Sequence, residues 1–310
     1  MKKGKKKSKH RLYAWWVPWV FLLPHLLVFG CFNLFPILTG IYSSFTKWTL
    51  GKMPEWIGLE NFKNLLFNQD SMYYWQLRWG LVNTIKFVIL CVPFCIIVPL
   101  LLALFLNTKC RGSKFLQSIY YLPSLLSLSV VMVSWNYMFD SNSGIINNLL
   151  GLGKIKWTTS SPYDWVALIV ITVWWCCGST MVIYQSALAG VSRDLLEAAS
   201  VDGANTLQKF FHITLPSISF PLQYTIITSV IAQFGIWGQP DMFNNGGATL
   251  EVVNGVNRQS NMMIMQYIAN SGFGSSGVNA GIASAMSLIL GLIIFVVSIV
   301  QFKIMRRNNE

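Results

Sequence analysis

The sequence predicts an all-α protein: a polytopic membrane helix bundle of about six transmembrane helices, with both termini in the cytoplasm. Three observations carry this. Hydrophobic residues fill 54% of the 310 positions and charged residues only 11%, against roughly a quarter charged in soluble domains, and mean hydropathy is +0.50. Several apolar runs reach the roughly 20 residues that a helix needs to cross about 30 Å of hydrocarbon. Basic residues alternate between dense and sparse segments along the chain, as retention of positive charge in the cytoplasm requires.

The elements follow in order. Residues 1–12, which include Lys2, Lys3, Lys5, Lys6, Lys7, Lys9 and Arg11, form a basic cytoplasmic tail, and 13–310 form one membrane domain. Spans are expected at about 13–38, 81–106, 115–139, 163–190, 217–237 and 279–303. The first apolar run is too long for the core of a cleavable signal peptide and is expected to stay as a span. With the tail inside, the inner segments also hold Lys109, Arg111, Lys114, Arg193, Lys209, Lys303, Arg306 and Arg307. The longer outer segments hold only Lys47, Lys52, Lys63, Arg78, Lys154, Lys156 and Arg258. The net charge of +12 would also suit phosphate binding. Its distribution is that of a topology signal, so membrane lipid is the expected partner and nucleic acid is not.

Three outer loops separate the spans. In the first, "IGLENFKNLLFN" spaces Leu59, Phe62, Leu65 and Leu66 as a short amphipathic helix at the interface. The second, about 140–162, is rich in Asn, Ser and Gly. The third, about 238–278, carries "NNGGATLEVVNG" and "NSGFGSSGVN", whose glycines allow turns with positive φ. Prolines such as Pro24, Pro36, Pro93, Pro99, Pro123 and Pro221 lie inside spans or at their ends, which membrane bundles tolerate. The cysteines, among them Cys91, Cys95, Cys176 and Cys177, lack the spacing of a metal or redox motif and read as small apolar filler. Lys86 is the one basic residue within an expected span. It either snorkels toward the headgroups or serves as a charge in a pathway.

The segment 191–216 is polar between two apolar spans, and the charge pattern puts it in the cytoplasm. Leu196, Ala199, Gly203, Leu207 and Phe210 recur at helical spacing as one apolar stripe, with small residues at its centre. Gly203, after Asp202, is also a candidate break between two short helices. Two readings are open. Asp194 and Glu197 stand three apart as in a helix-capping arrangement, which would make Glu197 local structure. Alternatively, the segment is a surface that another protein grips.

"EAA" at Glu197, Ala198 and Ala199, then Gly203, then "ITLP" ending at Pro216, resembles the cytoplasmic loop of the membrane permeases of binding-protein-dependent ABC importers. "NFKNLL", Asn83-Thr84, "YYLPSLLS" and "QFKIMRR" are similar to the carbohydrate branch, and to its first permease. The resemblance implies that Glu197, Ala198, Ala199, Gly203 and Leu207 dock on an ATPase subunit. It implies as partners a second permease, two ATPase subunits, an extracellular substrate-binding protein and a carbohydrate. No G-x-x-x-x-G-K-[ST] loop occurs, so this chain is expected to bind no cofactor and to be no enzyme, ATP and Mg²⁺ belonging to the partner ATPase.

Two polar and aromatic rows flank the loop at helical spacing: Thr172, Trp175 and Ser179 before it, Ser229, Gln233 and Trp237 after it. Indole faces stack on sugar C–H surfaces and amides bond hydroxyls, which makes these the candidate substrate pathway. The same residues also serve as interhelical hydrogen-bond partners and interfacial anchors. A permease for another polar solute, such as glycerol phosphate, is the nearest alternative. A channel or secondary transporter would call for more intramembrane ionisable residues.

Overall fold

The computed structural model describes residues 16–49, 52–108, 112–151, 154–253, 255–274 and 278–307. The basic tail expected at 1–12 lies outside them. Among the described residues, α1 (Val17–Ser44), α3 (Met72–Asn107), α7 (Tyr163–Ala189) and α13 (Ala280–Arg307) are each long and apolar enough to cross a membrane. Between them lie the short α2 (Glu60–Leu66), the pair α4 (Ser113–Leu125) and α5 (Leu128–Met138), and α6 (Ile145–Leu150). After α7 come α8 (Arg193–Val201), α9 (Thr206–Ser217), α10 (Ser219–Phe234), α11 (Gly238–Asn244) and α12 (Ile264–Phe273).

The spans number six if each bent pair counts once, but two of them are not single rods. The third, expected as one helix over 115–139, bends by 102° between α4 and α5. Leu126 and Ser127 are extended there, with ψ of 143° and 145°, so the chain leaves the helix just after Pro123. The fifth bends by 71° at Ile218, between α9 and α10. The second begins at Met72, not near 81, because Ser71 caps it by accepting the Tyr73 N–H at 3.3 Å.

Two helices widen for one turn at Gly30–Leu34 and Phe210–Thr214, where Phe35 N–H bonds Gly30 O and Leu215 N–H bonds Phe210 O. Each widened turn ends just before a proline, Pro36 or Pro216. A proline in a helix lacks an N–H and its ring strikes the carbonyl four residues back, and the wider turn relieves both.

The third loop, expected on the outer side, contains more structure than glycine turns. The strands β3 (Thr249–Val253) and β4 (Val256–Gln259) pair antiparallel, and α12 packs its first turns in the core, with Ile264 wholly buried. The strands β1 (Thr46–Lys47) and β2 (Glu55–Trp56) make a second, smaller ladder. The positive φ of Gly246, Gly247 and Gly255 agrees with the turns expected there. In the first loop, α2 is not a free interfacial helix. Leu65 is buried and Phe62 lies 5.5 Å from the Phe45 ring, whereas Leu59 and Leu66 stay exposed. Asn61 fastens it by donating to Ser44 O and Thr46 O at 2.8 and 2.9 Å.

The core runs along α3 and α7. Its hairpin end gathers Phe87, Phe139, Trp157, Trp165, Phe243 and Met263. Its opposite end gathers Leu100, Ala103, Leu106, Met181, Tyr184 and Ile218. By contrast, no residue of α1 before Ser43 is buried.

Candidate functional site

Residues 193–217 form an elbow at the end of the bundle away from the hairpin. α8 stops at Val201 because Gly203 takes φ 81°, a left-handed conformation that costs an L side chain about 1–2 kcal/mol. Ala204 N–H bonds Ala199 O at 2.9 Å and Gly203 N–H bonds Ser200 O at 3.2 Å, which satisfies carbonyls at the helix end. Asn205 then opens α9 with a capping box: its side chain accepts the Gln208 N–H, and Gln208 Oε1 accepts the Asn205 N–H, both at 2.8 Å. Lys209 Nζ donates to Ser200 Oγ at 2.7 Å across the turn and braces one helix on the other.

The continuous stripe expected from the sequence is therefore divided. Leu196 and Ala199 on α8 are half-buried toward the bundle, as is Phe210 on α9. Gly203 and Leu207 are exposed, and so are Glu197 and Ala198. The capping account of Glu197 also fails: Ser192 is the N-cap residue of α8 with no side-chain capping bond, and Asp194 and Glu197 make none with the backbone. Among the described residues Glu197 has no hydrogen-bond or ion-pair partner. Around it the elbow exposes Leu195, Val201 (88%), Leu207 (68%) and Phe211. A shallow cleft of about 350 Å³ opens beside them, lined by Ala199, Asp202, Gly203, Gln208, Lys209 and His212 among others.

The elbow is mechanically joined to the spans. α9 continues into α10 through Ile218, which is wholly buried among Leu100, Ala103 and Tyr184. Tyr184 Oη and Thr225 Oγ1 bond at 2.5 Å and link α7 to α10 about two turns further in. A second cavity of about 330 Å³, lined by Leu104, Asn107, Leu188, Leu196 and Thr214 among others, separates the elbow from the ends of α3 and α7.

The residues of the two candidate pathway rows differ in exposure and in bonding. Thr172 is buried and donates to Leu168 O at 2.7 Å within its own helix. Trp175 Nε1 donates to Leu126 O at 3.2 Å, so it serves a carbonyl freed at the break between α4 and α5. Ser179 is exposed and back-bonded to Cys176 O at 3.0 Å. On α10, Ser229 is half-buried and Gln233 buried; beyond its end Trp237 is exposed.

The family model described as "Binding-protein-dependent transport system inner membrane component" matches residues 78–309. The chain belongs to this family. It is similar to the probable ABC transporter permease protein YesP of Bacillus subtilis, at 31% identity over 98% of this chain and 93% of that protein. It is 28% identical to the probable starch degradation products transport system permease protein AmyD of Thermoanaerobacterium thermosulfurigenes, over 98% of both chains. Its fold is that of a chain in the crystal structure of a bacterial ABC transporter involved in the import of alginate, with a TM-score of 0.73, 23% identity, and coverage of 95% of this chain and 96% of that one.

The permease therefore has the expected bundle, and its elbow contains features that the sequence reading missed. Asn205 and Gln208 stand at the spacing of a capping box, a legible signal that the stripe obscured. Ile218 carried no signal, because a lone apolar residue at the start of a span looks the same in the core or in lipid.

Proposed function

We propose that the permease is the membrane subunit of an ATP-driven importer of a sugar or oligosaccharide, with the elbow and both termini on the cytoplasmic side. The observation that carries this reading is the elbow itself: a polar segment that exposes Leu195, Val201, Leu207 and Phe211 around an unpartnered glutamate. Exposed apolar side chains clustered on a short lever mark a docking surface. The partner is an ATPase subunit, which supplies the nucleotide chemistry, so this chain needs no cofactor of its own. Two ATPase subunits, an extracellular binding protein and a second permease complete the complex. α1, which buries nothing before Ser43, offers a full apolar face to that second permease and to lipid.

The mechanism follows from how the elbow is built. The Lys209–Ser200 brace and the capping box make α8 and α9 move as a unit. A pull on Glu197, Ala198, Ala199, Gly203 and Leu207 reaches buried Ile218 across the 71° bend, and through Tyr184–Thr225 it reaches α7 and α10. The cavity between the elbow and the ends of α3 and α7 gives the lever room to swing. Closure of the ATPase pair on ATP then favours one of two bundle states, and the loaded binding protein favours the same one. Exposed Ser179 and Trp237 and half-buried Trp175 and Ser229 are the candidates to meet the sugar at the interface between permeases, with buried Thr172 and Gln233 behind them.

The sugar assignment is supported by AmyD-like relatives that match the chain along its full length. In proteoliposomes with the cognate partners, oligosaccharide uptake is expected and glycerol phosphate uptake is not; the reverse would replace the substrate class. A cysteine placed at Leu207 should cross-link to an ATPase subunit. An uptake-competent complex that yields no such cross-link would overturn the docking role.

A further inference from the structure

The start of α7 holds a carboxylate among neutral oxygens. Asp164 is wholly buried, and among the described residues it makes no ion pair. Its Oδ1 accepts the Trp165 N–H at 2.9 Å, and its Oδ2 accepts the Ser260 hydroxyl. Ser260, just past β4, also accepts the Ala248 N–H at 3.1 Å. The next residue, Asn261, is wholly buried, and among the described residues neither its side-chain oxygen nor its nitrogen has a hydrogen-bond partner. These groups converge on Gly247. The position that a Cβ would take there lies 2.7 Å from Asp164 Oδ2, 2.9 Å from Asn261 Oδ1 and in contact with Ser260 Oγ. Next to it, a Cβ on Gly246 would touch Gln259 Oε1, another buried oxygen without a partner. Only glycines, both at positive φ, leave the backbone this close to so many oxygens.

The helix N-terminus and two hydrogen bonds offset part of the cost of burying Asp164. They do not account for Asn261 beside Gly247 or for Gln259 beside Gly246, whose acceptor oxygens have no partner among the described residues. The obvious cation does not do so either. Lys86 Nζ sits 4.1 Å above the centre of the Trp165 ring, and its side chain is exposed. A donor set made wholly of oxygen selects a hard cation. One carboxylate with neutral hydroxyl and amide oxygens balances one positive charge, whereas a divalent ion would leave net charge buried. We propose that Asp164, Ser260, Asn261 and Gln259 hold an alkali-metal cation that pins the hairpin segment to the start of α7.

The test uses the full chain purified in detergent with its accompanying subunits, unfolded by heat and followed by tryptophan fluorescence. Sodium, potassium and N-methylglucamine chlorides are compared at equal ionic strength, about 0.15 M. The midpoint is expected to be about 3 °C or more higher in sodium or potassium than in N-methylglucamine. Asp164→Asn should abolish that difference. Asn261→Asp, which adds a second carboxylate, should make the midpoint rise with Ca²⁺, a response that the unaltered chain lacks. Equal midpoints in all three salts, as ordered water or a turned Asn261 amide would give, overturn the proposal. So does an Asp164→Asn protein that keeps the full salt difference, or an Asn261→Asp protein indifferent to Ca²⁺. If Asp164→Asn does not fold, the unaltered chain and Asn261→Asp still decide.

Discussion

The two ends of α7 invert the usual distribution of polarity in opposite ways. At its start, the hairpin end buries Asp164, Ser260, Asn261 and Gln266; Ser260 donates to Asp164 and Gln266 Oε1 accepts the Met263 N–H, while the Asn261 side chain has no partner among the described residues. At its finish, the elbow exposes Val201, Leu207 and Phe211, and Glu197 has no side-chain partner among the described residues. Buried polar groups cost free energy unless they are satisfied, so the bonds of Asp164, Ser260 and Gln266 tie the hairpin end to the start of α7. Exposed apolar groups are stabilised when something covers them, and the proposed docking of a partner on the elbow would do so.

The largest effect should come from the hairpin end. Thr84 Oγ1 accepts the Ile264 N–H at 3.0 Å, both buried, and Thr84→Val would strand that N–H at a cost of about 1–3 kcal/mol. The thermal midpoint of the purified protein should fall. An unchanged midpoint would mean that the hairpin end is not the more firmly bonded of the two. Gly203→Ala comes next, because φ 81° costs a side chain about 1–2 kcal/mol while nothing within 4 Å obstructs a Cβ. The loss should be local: uptake falls sharply with little change in the midpoint of the bundle. A midpoint drop as large as that of Thr84→Val would erase the distinction between the ends.

Lys86→Met removes a cation–π contact with Trp165 and should cost about 0.5–1 kcal/mol, read from the same melts, with uptake retained. Lost uptake at an unchanged midpoint would instead put Lys86 in the pathway. Glu197→Ala sits on an exposed surface and should change stability by no more than about 0.5 kcal/mol, yet lower binding-protein-stimulated ATP hydrolysis. Normal hydrolysis would remove Glu197 from the docking surface. The smallest effect belongs to Asp140 at the hairpin end. The Ser143 N–H and hydroxyl, with the Asn142 N–H, hold its carboxyl below the usual range. Its contribution is present at neutral pH and is lost as pH falls through that lowered value, so Asp140→Asn should flatten the acid limb of a stability profile.

Much of the fold was legible in the residues. Span number follows from apolar run length, and the turn at Gly203 follows from a glycine after a helix-ending Asp202. The break at Leu126–Ser127 was not legible. Pro123 warns of a bend, but a 102° departure depends on Trp175 reaching Leu126 O from a helix 49 residues along the chain. The β3–β4 hairpin carried a local sign, the Asn254-Gly255 pair between β-branched residues, which a reading devoted to loops passed over.

Composition, run length and charge by themselves determined that this chain crosses a membrane about six times and carries a polar segment at 191–216 with a glycine at its turn. Those properties arise from transfer free energies and local backbone sterics, which each residue carries wherever it goes. Only the tertiary structure decided that Leu196 turns inward while Leu207 turns out, that Ile218 is the buried pivot, and that Asp164 meets Ser260 and Asn261. Such pairings join residues far apart in the chain, 96 positions for Asp164 and Ser260 and 180 for Thr84 and Ile264. They depend on which helix packs against which, and no local pattern encodes that.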